Sequence, residues 1–184
     1  MPSIRTKPRR ILLPRTLSNR LNDHTLLNEE TAGALIYFRQ ASRTWLDLRV
    51  QTMYMTGVGD RNQVEIQPSS QSVIDKFLRQ NPRYGSIEWH THPSGSPEVS
   101  IDDRYHYLVE MKENPQFLAY IVTRNKRTVI KPYGTESVLS YVINDPPDFQ
   151  SRENYLRNRL IKVAEELGIV AFRTLRASKP KPSE

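Results

Sequence analysis

The sequence predicts an α/β domain in which a single mixed β-sheet is flanked by helices. Three observations carry this. Segments with helical apolar spacing are interspersed with short alternating segments, the pattern of packed sheet and helix layers. Some strands follow one another across short turns, so antiparallel hairpins sit among helix-linked strands and the sheet is mixed rather than strictly parallel. The 184 residues are about one domain's worth, enough for a real core.

The elements follow in order. "RILLP", residues 10–14, reads as a first strand. In residues 15–28, leucines at 17, 21 and 26/27 suit a helix packed on a core. "GALIYF", residues 33–38, is an apolar run expected to be a buried strand, and "TWLDLRV", residues 44–50, alternates as its hairpin partner. "TGVGDRNQVEIQP" gives a Gly-rich turn, a strand through Val64 and Ile66, and a Pro stop. Residues 69–81 open on serines and place Val73, Ile74, Phe77 and Leu78 at helical spacing until Asn81-Pro82 ends the helix. "GSIEWHTH", residues 85–92, alternates: Ile87 and Trp89 face the core, while Glu88, His90 and His92 face the other way. Ser100 opens a helix whose apolar positions are Tyr105, Leu108 and Val109, closed near Asn114-Pro115. "FLAYIVT" and "RTVIKPY" read as two strands joined at Asn125-Lys126, and "NDPPD" as a loop. A last helix over residues 151–167 carries Leu156, Leu160, Val163 and Leu167 up to Gly168, and "IVAFRTL" is a further strand candidate. There is no internal repeat and no heptad pattern.

Hydrophobic residues make up 37% of the chain and charged ones 26%, a polar balance that the two ends explain. Residues 1–9 and 176–184 are basic, Pro-containing tails, leaving a domain over residues 10–175. The net charge of +7 and pI near 9.7 favour an acidic partner or a nucleic-acid surface, which the basic tails could serve. No base-stacking pattern or known reader motif makes nucleic-acid binding the main expectation. The chain has no cysteine, which removes disulfides, thiolate metal sites and cysteine nucleophiles together. Any metal must be held by His, Asp, Glu or water. No apolar run approaches the ~20 residues that span a bilayer, and the basic N-terminus lacks the apolar segment of a signal peptide. A cytoplasmic protein is the expectation.

The chemistry concentrates in "WHTHPSGSPEVSIDD", residues 89–103. His90 and His92 are one residue apart on a strand, so both imidazoles project from the same face and can chelate one ion. The Pro/Ser/Gly loop turns the chain, and the next helix returns Asp103 or Asp102 as a third ligand. Two histidines and one carboxylate leave a tetrahedral position open for water, the arrangement of a catalytic rather than a structural zinc. Each piece also has a plainer reading: His-x-His occurs on ordinary strands, and Ser-x-x-Asp is a capping box with Asp in place of Glu or Gln. Capping and ligation are compatible, since Ser100 can cap while Asp103 points at a metal. Glu88 shares the face of the histidines and is an alternative base or a group that orients a ligand. His106 falls on the helix surface, and His24 is a surface or core-edge histidine of the first helix.

These residues resemble the signature of the JAB/MPN (JAMM) metalloprotease family: His, any residue, His, seven residues, Ser, two residues, Asp. His90, His92, Ser100 and Asp103 fit it without gap. The family also places a Glu three residues before a Gly that opens a buried strand, and "NEETAGALIYF" supplies Glu30 before Gly33. The similarity covers roughly residues 10–132. It implies a JAB/MPN, cytidine-deaminase-like sheet with one zinc ion per chain held by His90, His92 and Asp103. It implies that water at the fourth position is acidified from a pKa of about 15.7 towards about 7. Glu30 is then the general base that passes the proton to the leaving amine. Ser100 hydrogen-bonds that water or the developing oxyanion.

The same resemblance implies hydrolysis of a peptide or isopeptide bond after the C-terminal Gly-Gly of a ubiquitin-like or sulfur-carrier protein, with the tail lying extended near a strand edge. The short chain leans towards the prokaryotic type. Homo- or heterodimers are expected from members that act in assemblies. Two rival readings share the fold: a RadC-like, DNA-associated protein with a similar "HPSG" turn, and a metal-free scaffold that only binds partners. The intact ligand set argues against the second.

Overall fold

A computed structural model describes residues 7–59, 67–93, 95–96, 98–124, 126–132 and 137–169. The order is β1 (Arg9–Pro14), α1 (Arg15–His24), β2 (Thr31–Ala41), β3 (Leu46–Val58), α2 (Pro68–Gln80), β4 (Tyr84–Thr91), α3 (Ile101–Glu113), β5 (Ala119–Val122), β6 (Arg127–Ile130), β7 (Val138–Ile143) and α4 (Phe149–Glu166). The seven strands form one sheet in the order β6-β5-β4-β2-β3-β1-β7. β1 runs parallel to β3 and β7, and β4 to β5; β2 is antiparallel to both β3 and β4, and β5 to β6. The expected mixed sheet flanked by helices is therefore present.

Strand alternation divides the core. Leu35, Ile87, Trp89, Tyr120 and Val122 pack on one face with Leu17 and Leu21 of α1. On the other face Ala34 and Ile36 meet Val73, Ile74 and Phe77 of α2 and Leu156, Leu160 and Val163 of α4. Further along that second face, Ala119 and Ile121 pack with Phe117 and with Tyr107 of α3. Among the described residues, no helix is long and apolar enough to cross a membrane.

Several expectations need correction. α1 ends at His24, not residue 28, because the chain tightens into i→i+3 turns at Asn22–Thr25, Asp23–Leu26 and His24–Leu27, leaving Leu26 and Leu27 exposed. β3 continues to Val58, through residues read as a turn, because the long β2 keeps pairing with it: Ala32 lies opposite Gly57 and Gly33 opposite Met55, with Thr56 bulged out between them. Val138–Ile143, assigned no element from sequence, is the edge strand β7, drawn into the sheet by six parallel pairings with β1. The strand through Val64 and Ile66 and the strand candidate "IVAFRTL" from residue 170 lie outside the described residues, as do residues 1–6 and 176–184 of the two tails.

The largest correction concerns α3. Tyr105, Leu108 and Val109, the apolar positions by which the helix is read, are 74%, 67% and 42% exposed, and the buried position is Tyr107. The helix is turned by its first residues: Asp103 points at the two histidines. The stripe one and two turns further on, through Tyr107 and Met111, then meets the sheet.

Gly33 links the fold to the site. A Cβ there would lie 2.3 Å from the Tyr54 carbonyl oxygen and 2.8 Å from the Trp89 indole. Only glycine lets the strand carrying the histidines seat Trp89 against β2. Gly33→Ala is expected to destabilise the fold by about 1–3 kcal/mol through forced repacking. A thermal melt checks this; an unchanged Tm would contradict the close approach.

Candidate metal centre

His90 and His92 lie at the end of β4, where the His92 N–H still bonds the Val122 carbonyl at 3.0 Å and continues the strand's alternation. Both side chains are nearly buried on the face that carries Ala34, and their Nε2 atoms are 2.9 Å apart. At that separation the two nitrogens do not both present bare lone pairs: either one ring carries a hydrogen on Nε2, or a metal ion lies between them.

The chain then reverses. Gly95 takes the left-handed conformation, with φ of 80°, and donates its N–H to the His92 carbonyl at 3.0 Å. The turn brings the Ser96 carbonyl 3.0 Å from His92 Nδ1. A carbonyl only accepts, so Nδ1 carries the hydrogen and Nε2 faces the site with its lone pair.

Ser100 opens α3 with a full capping box. Its Oγ accepts from the Asp103 N–H at 3.0 Å, and Asp103 Oδ2 accepts from the Ser100 N–H at 3.0 Å and from Ser100 Oγ at 2.6 Å. The box aims the Asp103 carboxylate: Oδ1 is 3.3 Å from His90 Nε2 and Oδ2 is 3.4 Å from His92 Nε2. One ligand atom from each of His90, His92 and Asp103 can be chosen so that all lie within 4.8 Å of one another, a group that can hold a metal ion. Two imidazole nitrogens and one carboxylate oxygen are donors that a borderline cation accepts. The Ser100 hydroxyl hydrogen is directed at Asp103, so in this arrangement Ser100 orients the carboxylate.

Glu30 immediately precedes β2, whose Ala32 lies opposite His90 in the antiparallel pairing with β4. Opposed residues share a face of the sheet. Thr31 ties the strand ends together, its N–H bonding Thr91 Oγ1 at 3.0 Å, and the Glu30 carbonyl accepts from Gly59 N–H at 2.9 Å. The Glu30 charge is felt at the site, since it adds to the raised pKa of His92.

The remaining candidates separate cleanly. Asp102 is exposed and outside the cluster. Glu88 shares the histidine face but is bound by His106, whose Nε2 is 3.0 and 3.2 Å from its two carboxylate oxygens. His106 is thus not a plain helix-surface residue, because α3 lies close enough to β4 to pair it. His24 is a core-edge residue, its ring centroid 5.3 Å from Trp89. Sequence reasoning missed Tyr107, whose hydroxyl is 3.1 Å from His90 Nδ1. Its signal was available: it stands one turn after Asp103, on the same face of the helix.

Electrostatics fit a cation. Burial works against the Asp103 charge, yet hydrogen bonds from His90, His92 and Ser100 outweigh it and hold the carboxyl far below the ordinary range. The hydrogen bond that His92 donates to Asp103 raises the His92 pKa against opposing burial, with help from the Ser96 carbonyl and the charges of Asp103 and Glu30. In the ion-free protein His92 therefore keeps its proton to a higher pH than a free imidazole. Protons compete with a metal ion over a range that opens above the ordinary histidine value of about 6.5. Metal affinity is expected to fall as the pH is lowered, starting above that value, while protonation of His92 stabilises the ion-free fold at low pH and that contribution fades as the pH rises through the raised pKa. A chelator-competition titration across the histidine range checks this; a pH-independent affinity would contradict it.

No family model matches the chain, and no curated protein matches it either. Among solved structures it is similar to the solution structure of protein DSY2949 from Desulfitobacterium hafniense, at 19% identity and a TM-score of 0.48, covering 73% of this chain and 95% of that one.

Proposed function

We propose that this chain is a zinc-dependent peptidase or isopeptidase of the JAB/MPN metalloprotease type. It hydrolyses the bond after the C-terminal Gly-Gly of a ubiquitin-like or sulfur-carrier protein, in the cytoplasm. The single observation that carries the reading is convergence: two strand-end imidazoles and a helix-start carboxylate meet within 4.8 Å, and the charge of a further carboxylate, Glu30, adds to the raised pKa of His92. A metal site alone needs no Glu30; a hydrolase needs a base there.

Zinc at this triad supplies a Lewis acid and an acidified water. The chain's own groups do the rest. His92, fixed at Nδ1 by the Ser96 carbonyl, and Asp103, fixed by Ser100, keep their donor atoms aimed at one point. Glu30 takes the proton from the attacking water and returns it to the departing amine. Glu88 stays engaged with His106 and leaves that task to Glu30. The outer face of α3, which begins at the site, exposes Ile101, Tyr105 and Leu108 and offers a protein substrate an apolar surface beside the scissile bond.

The test is incubation with a ubiquitin-like protein extended past its Gly-Gly. Cleavage after the second glycine, stopped by a chelator and restored by zinc, is expected. An intact fusion in every arm, or cleavage indifferent to chelation, contradicts the proposal.

A further inference from the structure

We infer that Tyr107 is a positioning residue of the metal centre: its hydroxyl holds His90 at Nδ1 so that Nε2 faces the ion. This rests on the reading of His90 as a ligand and adds a residue that the metalloprotease motif does not contain.

The geometry is specific. Tyr107 is only 3% exposed, and its Oη lies 3.1 Å from His90 Nδ1. Its ring lies 6.2 Å from that of His90, with an interplanar angle of 29°, and is held between His106 at 5.6 Å and Phe117 at 5.7 Å. Tyr107 also stands four residues after Asp103, so one face of one helix supplies both the third ligand and the anchor of the first. A rigid element that sets two parts of a site sets them together.

The two histidines are anchored differently, and the difference has chemical content. His92 Nδ1 faces a carbonyl, which accepts only. His90 Nδ1 faces a hydroxyl, which can accept or donate. With a cation at Nε2, His90 carries its hydrogen on Nδ1 and the Tyr107 oxygen accepts it. Without one, the hydroxyl donates to Nδ1, and His90 donates from Nε2 to Asp103 Oδ1 at 3.3 Å. The same heavy-atom arrangement satisfies both states, so the site is preorganised before the ion arrives. Burial, with the nearby Glu88 and Asp103 charges, holds the phenol pKa well above the ordinary value in the ion-free protein.

Tyr107→Phe in the full chain keeps the ring and removes only the oxygen. Zinc affinity, by competition with a chromophoric chelator, is expected to fall about 10–100-fold, the usual cost of losing a group that orients a ligand. The cobalt-substituted spectrum is expected to shift, while the ion-free melt stays cooperative. Wild-type affinity together with an unchanged cobalt spectrum would overturn the inference and leave the metal site standing. A second measurement needs no variant: histidine ¹⁵N spectra of the zinc-loaded wild type should show His90 protonated at Nδ1, and a metallated Nδ1 would overturn the inference. If the wild type binds no zinc, the reading of the site fails, and this inference fails with it.

Discussion

Glu30→Gln is expected to lower turnover of a Gly-Gly fusion by about 10²–10⁴-fold, the range for a lost general base, while zinc content stays at the wild-type level. Glutamine keeps the size and hydrogen-bonding reach of the side chain but cannot take a proton from water. Glu30 is outside the ligand triad, and its charge is felt at His92, so its loss is expected to remove a base and not a ligand. A secondary consequence tests the placement independently of activity: removing the Glu30 charge takes away one of the effects that raise the His92 pKa, which should drop in the ion-free variant. Zinc content, turnover and a histidine titration check the three parts. Turnover near wild type would move the base elsewhere, with Glu88 the first group to examine.

Asp103→Asn is expected to lose bound zinc and, with it, all measurable hydrolysis, while the protein remains folded. Asparagine can still accept from Ser100 through its carbonyl oxygen, so much of the capping box survives. It lacks the charge that the surrounding donors are arranged to meet: His90 and His92 at 3.3 and 3.4 Å, and Ser100 Oγ at 2.6 Å. Asp103→Ala separates the roles further, since it also removes the carboxylate half of the capping box while Ser100 Oγ can still accept from the backbone N–H of residue 103. Metal analysis and thermal melts of the two variants check this. An Asn variant that keeps a full equivalent of zinc would show that Asp103 caps the helix and does no more.

Much of the site was legible because it depends on local rules. Strand alternation puts His90 and His92 on one face and Trp89 on the other without tertiary information. The Ser100–Asp103 spacing names a helix start, and the structure forms that cap. The sheet's central strand was also readable from the apolar run at Gly33, and it pairs with the histidine strand, Ala32 lying opposite His90. What sequence did not convey depends on contacts between elements. The apolar spacing of Tyr105, Leu108 and Val109 points to a buried face, but the contacts of Asp103 fix the helix's rotation and turn Tyr107 inward. The Glu88–His106 pair joins two elements whose distance no local pattern gives. β7 joins the sheet through its pairing with β1, and β3 grows long because β2 keeps offering it partners.

The central claim is that His90, His92 and Asp103 hold zinc at one point. Anomalous scattering at the zinc edge from crystals grown with the metal tests it most directly. One peak is expected per chain, about 2.0–2.1 Å from both Nε2 atoms and about 2.0–2.2 Å from an Asp103 oxygen. A peak bound elsewhere, or no peak at the triad in zinc-saturated crystals, would contradict it.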